Sequence, residues 1–192
     1  IYRNFFKKQF NASLNEMVIL SSEDTHYSVH KGSNLLSIDA VSIPVNFDTR
    51  EIDTNNLDAI VAKLVSEGKK YFMVISNMAT TMFGSVDSPN AYASILSKHQ
   101  VEFKIHVDGA FGGFIYPISN KKTTINFENP NISSITIDAH KMLQAPYGTG
   151  VFLCRKGLIE NVLTKEAQYV DGMDLTIVGS RSGANAIAVW MI

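Results

Sequence analysis

Six apolar runs of strand length punctuate the chain: MVILSS (17–22), SIPVNF (42–47), YFMVISN (71–77), FKIHVD (103–108), SSITID (133–138) and GVFLCR (150–155). Several are β-branched and nearly continuous rather than alternating, the pattern of strands covered on both faces. Helical spacing appears between them. In TNNLDAIVAKLVSEGKK (54–70), Leu57, Ile60, Val61, Leu64 and Val65 fall on one stripe, with Thr54 as the expected N-cap and Gly68 as the expected stop. In SPNAYASILSKHQ (88–100), Pro89 stands near a helix start and Tyr92, Ile95 and Leu96 share a side. IYRNFFKKQF (1–10) and NAIAVWMI (185–192) also read as helices. Strand–helix–strand alternation predicts an α/β fold with a mostly parallel sheet flanked by helices.

In such sheets ligands bind beyond the carboxyl ends of the strands, so the residues that follow each apolar run carry the information. These are EDTHYS (23–28), MATTMFGSVD (78–87), GAFGG (109–113) and AHK (139–141). They bring His26, Thr80, Thr81, Asp108, His140 and Lys141 toward one sheet edge. Asp108 reads either as a turn former or as an anion held for a cationic ligand atom, since a carboxylate on an apolar strand needs a partner. The small residues Gly109 and Ala110 leave room for something flat. Lys141 either reaches solvent or serves as an amine nucleophile. His26 is either a hydrogen-bonded loop residue or a functional imidazole. A rival constellation uses the period of two: His106 with Asp108, and Asp138 with His140, carry donors suited to a divalent metal. That reading leaves Lys141 without a role.

Composition narrows the classes. The 192 residues are 45% hydrophobic and 18% charged with a formal net charge of -1, which is ordinary globular composition with enough chain for one core. No basic stripe marks a nucleic-acid binder, and the pairs Lys7–Lys8, Lys69–Lys70 and Lys121–Lys122 read as solvated surface. No apolar run is long enough to span a bilayer. The one cysteine, Cys154, sits in an apolar run and reads as a small core residue, in keeping with a reducing cytoplasm. The chain opens on Ile1 and closes on an apolar helix, so a segment of a longer protein is expected.

At this point the motifs resemble a known family. SSEDTHYSVHKGSNLL (21–36), IPVNFDTREIDTNNLDAIV (43–61), NMATTMFGSVDS (77–88), IHVDGAFGGFIYP (105–117), TIDAHKMLQAPYGTGVFLCRK (136–156) and DLTIVGSRSGANAIAVW (174–190) are similar, in order and spacing, to the pyridoxal-phosphate-dependent amino-acid decarboxylases of fold type I, with the nearest likeness to the histidine and serine decarboxylase branch. HVDGA followed by a later HK is the most specific part. The resemblance implies that residues 1–192 are the central part of a cofactor-binding large domain, with a phosphate-cradling loop expected upstream and a small domain downstream. It implies decarboxylation of an L-amino acid to its amine and carbon dioxide, with another lyase or transaminase reaction on the same cofactor, or an inactive segment, as alternatives. Lys141 resembles the lysine that forms a Schiff base with the cofactor aldehyde, and Asp108 the acid paired with the pyridine nitrogen. His26 and Ala110 match the residues on the two faces of the ring. Thr81 matches a threonine close to cofactor and substrate, and His140 a residue near the phosphate. Arg181 and Tyr169 are further candidates. Ala79 stands where many members have glycine. A homodimer completes what the likeness implies, and a cytoplasmic location is expected beside it.

Overall fold

The computed structural model describes residues 1–163 and 175–192. Within these, helices α1 (Tyr2–Phe10), α2 (Ser28–Leu36), α3 (Thr54–Ser66), α4 (Pro89–Lys98), α5 (Tyr116–Ser119) and α6 (Gly183–Met191) accompany strands β1 (Met17–Ser22), β2 (Ala40–Ile43), β3 (Tyr71–Asn77), β4 (Glu102–Gly109), β5 (Ile132–Asp138) and β6 (Gly150–Cys154). The strands form one sheet in the order β2-β1-β3-β4-β5-β6. Neighbours from β2 to β5 pair parallel, and β6 closes the edge antiparallel to β5. The expected mostly parallel α/β sheet is therefore present.

Alternation along the strands sends successive side chains to opposite faces. On one face Val18, Leu20, Phe72, Val74 and Ile105 meet Leu57, Val61 and Leu64 of α3 and Tyr92 and Leu96 of α4. On the other, Met17, Ile19 and Met73 are covered by Tyr2 and Phe6 of α1. Each such fully buried large apolar side chain contributes about 1.5–3 kcal/mol. A third cluster, Met78, Val107, Ile125, Ile132 and Ile135, packs under the loops that follow β3 and β4.

Several local expectations are corrected. The second strand is Ala40–Ile43, not 42–47, because Pro44 has no N–H to donate and only Val45 bridges further, to Ile52. Helix α3 is capped by Asp53, whose Oδ1 accepts from the backbone N–H of Asn55 and Asn56 at 2.9 and 3.0 Å; Thr54 is the first helical residue. Its stop is as expected, with Gly68 in the left-handed region at φ 93°. Helix α2 is short and contains Gly32, a poor helix former, and was not among the expected helices, although Val29 and Leu36 pack against the α1 side of the core. The β6 run is not covered on both faces: Phe152 and Leu153 are exposed, as an edge strand allows, and Cys154 is half-buried against the α1 cluster. Lys69 is no free surface charge, since its amine donates to Met17 O at 3.1 Å and to Asp39 at 2.8 Å.

Candidate active site

The strand register assembles the floor of the site. Asn77, Asp108 and Thr136 stand in one row across β3, β4 and β5, and Ile75, His106 and Ser134 stand in the row beneath. Above this floor opens a cleft of about 640 Å³, the place the switch from strand to loop predicts for a ligand. His26, Thr81, Asp108, Ala110 and Lys141 all line it. His140 does not: its ring packs edge-on against Tyr147 at 5.2 Å, Nε2 lies 3.7 Å from Asp138, and Nδ1 is buried without a partner.

Asp108 is the last residue but one of β4, after which the chain turns through Ala110 to Gly113. Its Oδ1 accepts from the Ala110 N–H at 3.1 Å. No Lys, Arg or His among the described residues forms an ion pair with it. The turn must be tight and small. A Cβ on Gly113 would meet Ile137 and the Gly109 carbonyl, and one on Gly112 would meet Ala79 and the Met78 carbonyl. Ala79 takes φ 57°, a left-handed conformation that glycine adopts at no steric cost. That is the physical content of its departure from the family's usual residue.

Lys141 lies in the turn after β5, a third of its side chain exposed, with Nζ 3.2 Å from Asp138 Oδ2. His26 lies in the turn after β1, its Nδ1 2.8 Å from Ser28 Oγ and its ring 4.1 Å from that of Tyr27. Thr81 is exposed at the mouth, on a loop held by the 2.6 Å contact between Thr80 and Ser85 hydroxyls. Ser85 also donates to Asp24, at 3.1 Å, and Asp24 is paired with Arg50, so this rim is tied to the β1 end of the cleft. Arg181 is exposed and does not line the cleft. Tyr169 lies outside the described residues.

Of the polar groups of the floor, Asn77 escaped the sequence reading and His106 was read only as a possible metal ligand. Asn77 donates from its backbone and side-chain nitrogens to buried Asp87, both at 2.8 Å, and accepts from the Thr25 hydroxyl at 3.1 Å. Burial pushes the Asp87 carboxyl up to about 6. His106 places Nδ1 2.7 Å from Ser134 Oγ; burial pushes its imidazole down to about 4, against the pull of the Asp108 carboxylate. The divalent-metal alternative has no support here: no group of three or more His, Cys, Asp or Glu suited to a metal occurs among the described residues.

A carboxylate without a cation on the floor, an amine at the rim, and a small-residue wall between them suit a flat, cationic, aldehyde-bearing ring. The model of the pyridoxal-dependent decarboxylase conserved domain matches residues 5–190. The chain belongs to this family. Over its full length it is 60% identical to a tryptophan decarboxylase of Clostridium sporogenes, of which it covers 46%. Over 175 residues, 90% of this chain and 44% of the relative, it is 33% identical to a histidine decarboxylase of Vibrio anguillarum. It thus spans about half the length of these curated relatives. The fold is also that of the sphingosine-1-phosphate lyase of Burkholderia pseudomallei, with a TM-score of 0.79 at 22% identity over 99% of this chain and 43% of that one. The residues fit the family's cofactor, pyridoxal phosphate: Asp108 has a free acceptor for a protonated ring nitrogen, Ala110 offers a flat wall, and Lys141 offers the amine.

Proposed function

We propose that this chain supplies the floor and the lysine of an amino-acid decarboxylase that uses pyridoxal phosphate to turn an L-amino acid into its amine and carbon dioxide. The observation that carries the reading is the shared cleft of Asp108, Ala110 and Lys141. When bound, the cofactor supplies the electron sink for the bond to the carboxylate. The chain's own residues do the rest. Asp108 holds a proton on the ring nitrogen through a charge-assisted hydrogen bond. Ala110 and His26 confine the ring between two faces, so that one substrate bond stands perpendicular to it. Lys141 provides the amine that anchors the aldehyde and afterwards handles a proton. Thr81, at the mouth, faces the incoming carboxylate.

An aromatic substrate is the reading best supported by the 60% likeness to a tryptophan decarboxylase and by Tyr27, Met82 and Phe111 along the cleft. Residues 1–192 form the central part of the large domain in this reading, which their 46% share of that relative supports. A homodimer is supported by the exposed Ile177, Val178, Ile187 and Trp190, an apolar surface of the kind that association covers. A reducing, cytoplasmic setting is supported by the lone free thiol of Cys154. Among the described residues no helix is long and apolar enough to cross a membrane.

The test is covalent capture. Incubation with pyridoxal phosphate, borohydride reduction and peptide mapping should place the label on Lys141, and Lys141→Ala should lose it. Label elsewhere, or none, overturns the assignment. The amine released from a mixture of amino acids then identifies the substrate, while an aldehyde or keto acid product would point to a different reaction on the same site.

A further inference from the structure

Two walls of the cleft are joined by ties that the proposed chemistry leaves without a role. One wall is the turn after β1, which carries His26; the other is the loop from Met78 to Asp87, which carries Thr81. That loop closes on itself. Met78 bridges Val86, the Thr80 N–H donates to the Ser85 carbonyl at 3.0 Å, and the Gly84 N–H donates to the Thr80 carbonyl at 2.8 Å. Its tip, Thr81 to Gly84, is exposed. Two adjacent residues of the opposite wall, Asp24 and Thr25, hold it, and both line the cleft.

Each tie has a fixed donor. Asn77 Nδ2 donates to Asp87 Oδ2 at 2.8 Å and to Ser22 Oγ at 3.0 Å, so its Oδ1 faces Thr25 and accepts from that hydroxyl at 3.1 Å. This deep tie lies level with Asp108, which pairs with Asn77 across β3 and β4. The shallow tie ends on Asp24, whose carboxylate is paired with Arg50 and only accepts, so the single Ser85 hydroxyl proton goes to it, at 3.1 Å. Thr80 then donates its own proton to Ser85 Oγ at 2.6 Å and accepts from the Ser85 N–H at 3.2 Å. Asn77 and Ser85 are 3% and 7% exposed, so water does not stand in for either bond. Arg50 grips the same loop a second time, its guanidinium 4.2 Å from the Phe83 ring. Among the described residues no other side-chain hydrogen bond joins residues 78–86 to the turn after β1.

We propose that Asp24 and Thr25 form a brace that fixes the spacing between His26 and Thr81, so that the slot for a flat ring has its width before the ring arrives. Asp24 and Thr25 are positioning residues, because they act through the adjacent His26 and through the loop of Thr81. The deep tie holds the His26 turn to the floor, and the shallow tie keeps the mouth from opening. Walls held in this way need no ordering when a ligand enters, and that saving appears as affinity. The effect on pyridoxal phosphate rests on the function proposed above; the brace itself does not.

The experiment compares Thr25→Val, which keeps the shape and removes the donor, with Thr25→Ser, which keeps the donor, and adds Ser85→Ala. All are made in the full chain and measured at pH 8, where the Asp87 carboxyl, raised to about 6, is ionised. Amide hydrogen exchange without cofactor comes first: Ser85→Ala should speed exchange across residues 80–86 about tenfold and leave β3 and β4 as they are. Pyridoxal phosphate should bind Thr25→Val about tenfold more weakly, and the circular dichroism that the site induces in the bound cofactor's visible band should shrink. Thr25→Ser should restore both to within about twofold of wild type. A merely structural role would instead lower the urea midpoint of Thr25→Val and leave affinity and dichroism unchanged. That outcome, a failure of Thr25→Ser to rescue, or unchanged exchange in Ser85→Ala overturns the inference. Should Thr25→Val not fold, Ser85→Ala decides it, through exchange and a severalfold loss of affinity. A wild-type chain that binds no pyridoxal phosphate sinks the proposed function, and hydrogen exchange alone then decides the brace.

Discussion

Lys141 folds back on its own turn to pair with Asp138, Nζ to Oδ2 at 3.2 Å, so the amine assigned to the cofactor is held by a carboxylate three residues earlier. An ammonium cannot attack an aldehyde; the free amine does. Asp138→Asn keeps the shape and removes the carboxylate that draws the Lys141 side chain back onto its own turn. The rate of covalent capture of pyridoxal phosphate, trapped by borohydride at neutral pH, should rise severalfold. A slower capture would show that Asp138 aims Lys141 instead of restraining it.

Asp108 offers a sharper comparison. Asp108→Glu retains a carboxylate on the floor, whereas Asp108→Ala removes it and leaves a cationic ring nitrogen without a partner. Loss of a charge-assisted hydrogen bond costs about 1.5–3 kcal/mol, so pyridoxal phosphate should bind Asp108→Ala at least tenfold more weakly than wild type. Asp108→Glu should lie between the two. Equal dissociation constants for both variants would remove Asp108 from this role.

His106 and Asp87 should make opposing contributions to stability between pH 7 and pH 5. His106 is held down to about 4 in the fold and titrates near 6.5 when unfolded, so the unfolded chain takes up the proton first and stability falls as pH drops through 6.5. Asp87 is raised to about 6 in the fold against 3.8 unfolded, so the folded chain takes up its proton first and stability rises as pH drops through 6. Each is on the order of 3 kcal/mol over its whole window, with opposite sign. Asp87→Asn should expose the histidine's contribution as a urea midpoint that falls from pH 7 to pH 5. A midpoint that changes with pH in that variant just as in wild type would refute the opposing signs.

The rim pair gives a test in the fold itself. The side chain of Asp24 is almost wholly buried and is paired with Arg50, whose Nε donates to Oδ2 at 3.0 Å. Arg50→Ala strands that carboxylate, and removing one partner of a buried pair is worse than removing both. The urea midpoint should drop more for Arg50→Ala than for the double variant with Asp24→Asn. The reverse order would mean that Asp24 stabilises the rim without its cation, through the hydrogen bond it accepts from Ser85.

Gly113→Ala should be poorly tolerated. The added methyl would lie 2.6 Å from the Gly109 carbonyl and press on Ile137, and overpacking of this kind costs about 1–3 kcal/mol. Thermal unfolding should register it, and because the turn carries Asp108 and Ala110, cofactor affinity should fall with it. An unchanged melting temperature would show that the turn has slack.

Local pattern was enough for much of this molecule. The apolar runs of β1, β3, β4 and β5, the stripe of α3 and the residues just beyond the strands were legible because side-chain period, breaker residues and strand-end chemistry are written in consecutive positions. Asp108, Lys141, His26, Ala110 and Thr81 were read from such positions, and the fold brings all five to one cleft. The limits of β2 were misread because a proline inside an apolar run outweighs the run. Helix α2 went unannounced because it is only nine residues long and carries Gly32 in its middle, which weakens the local helix signal. The edge position of β6 depends on which strand lacks a second neighbour, a property of the sheet as a whole. Tyr2 and Ser134 lie 132 residues apart, and nothing in either neighbourhood marks them as partners. Strand register alone decides that His106 sits beneath Asp108 and beside Ser134, and helix docking alone decides that Tyr2 reaches them. The sequence by itself thus determined which chemistry is carried and on which strand ends, because those signals are short-range. Only the tertiary structure decided which of those groups meet and which neighbours they bond, because hydrogen bonds and burial depend on distance in space and not along the chain.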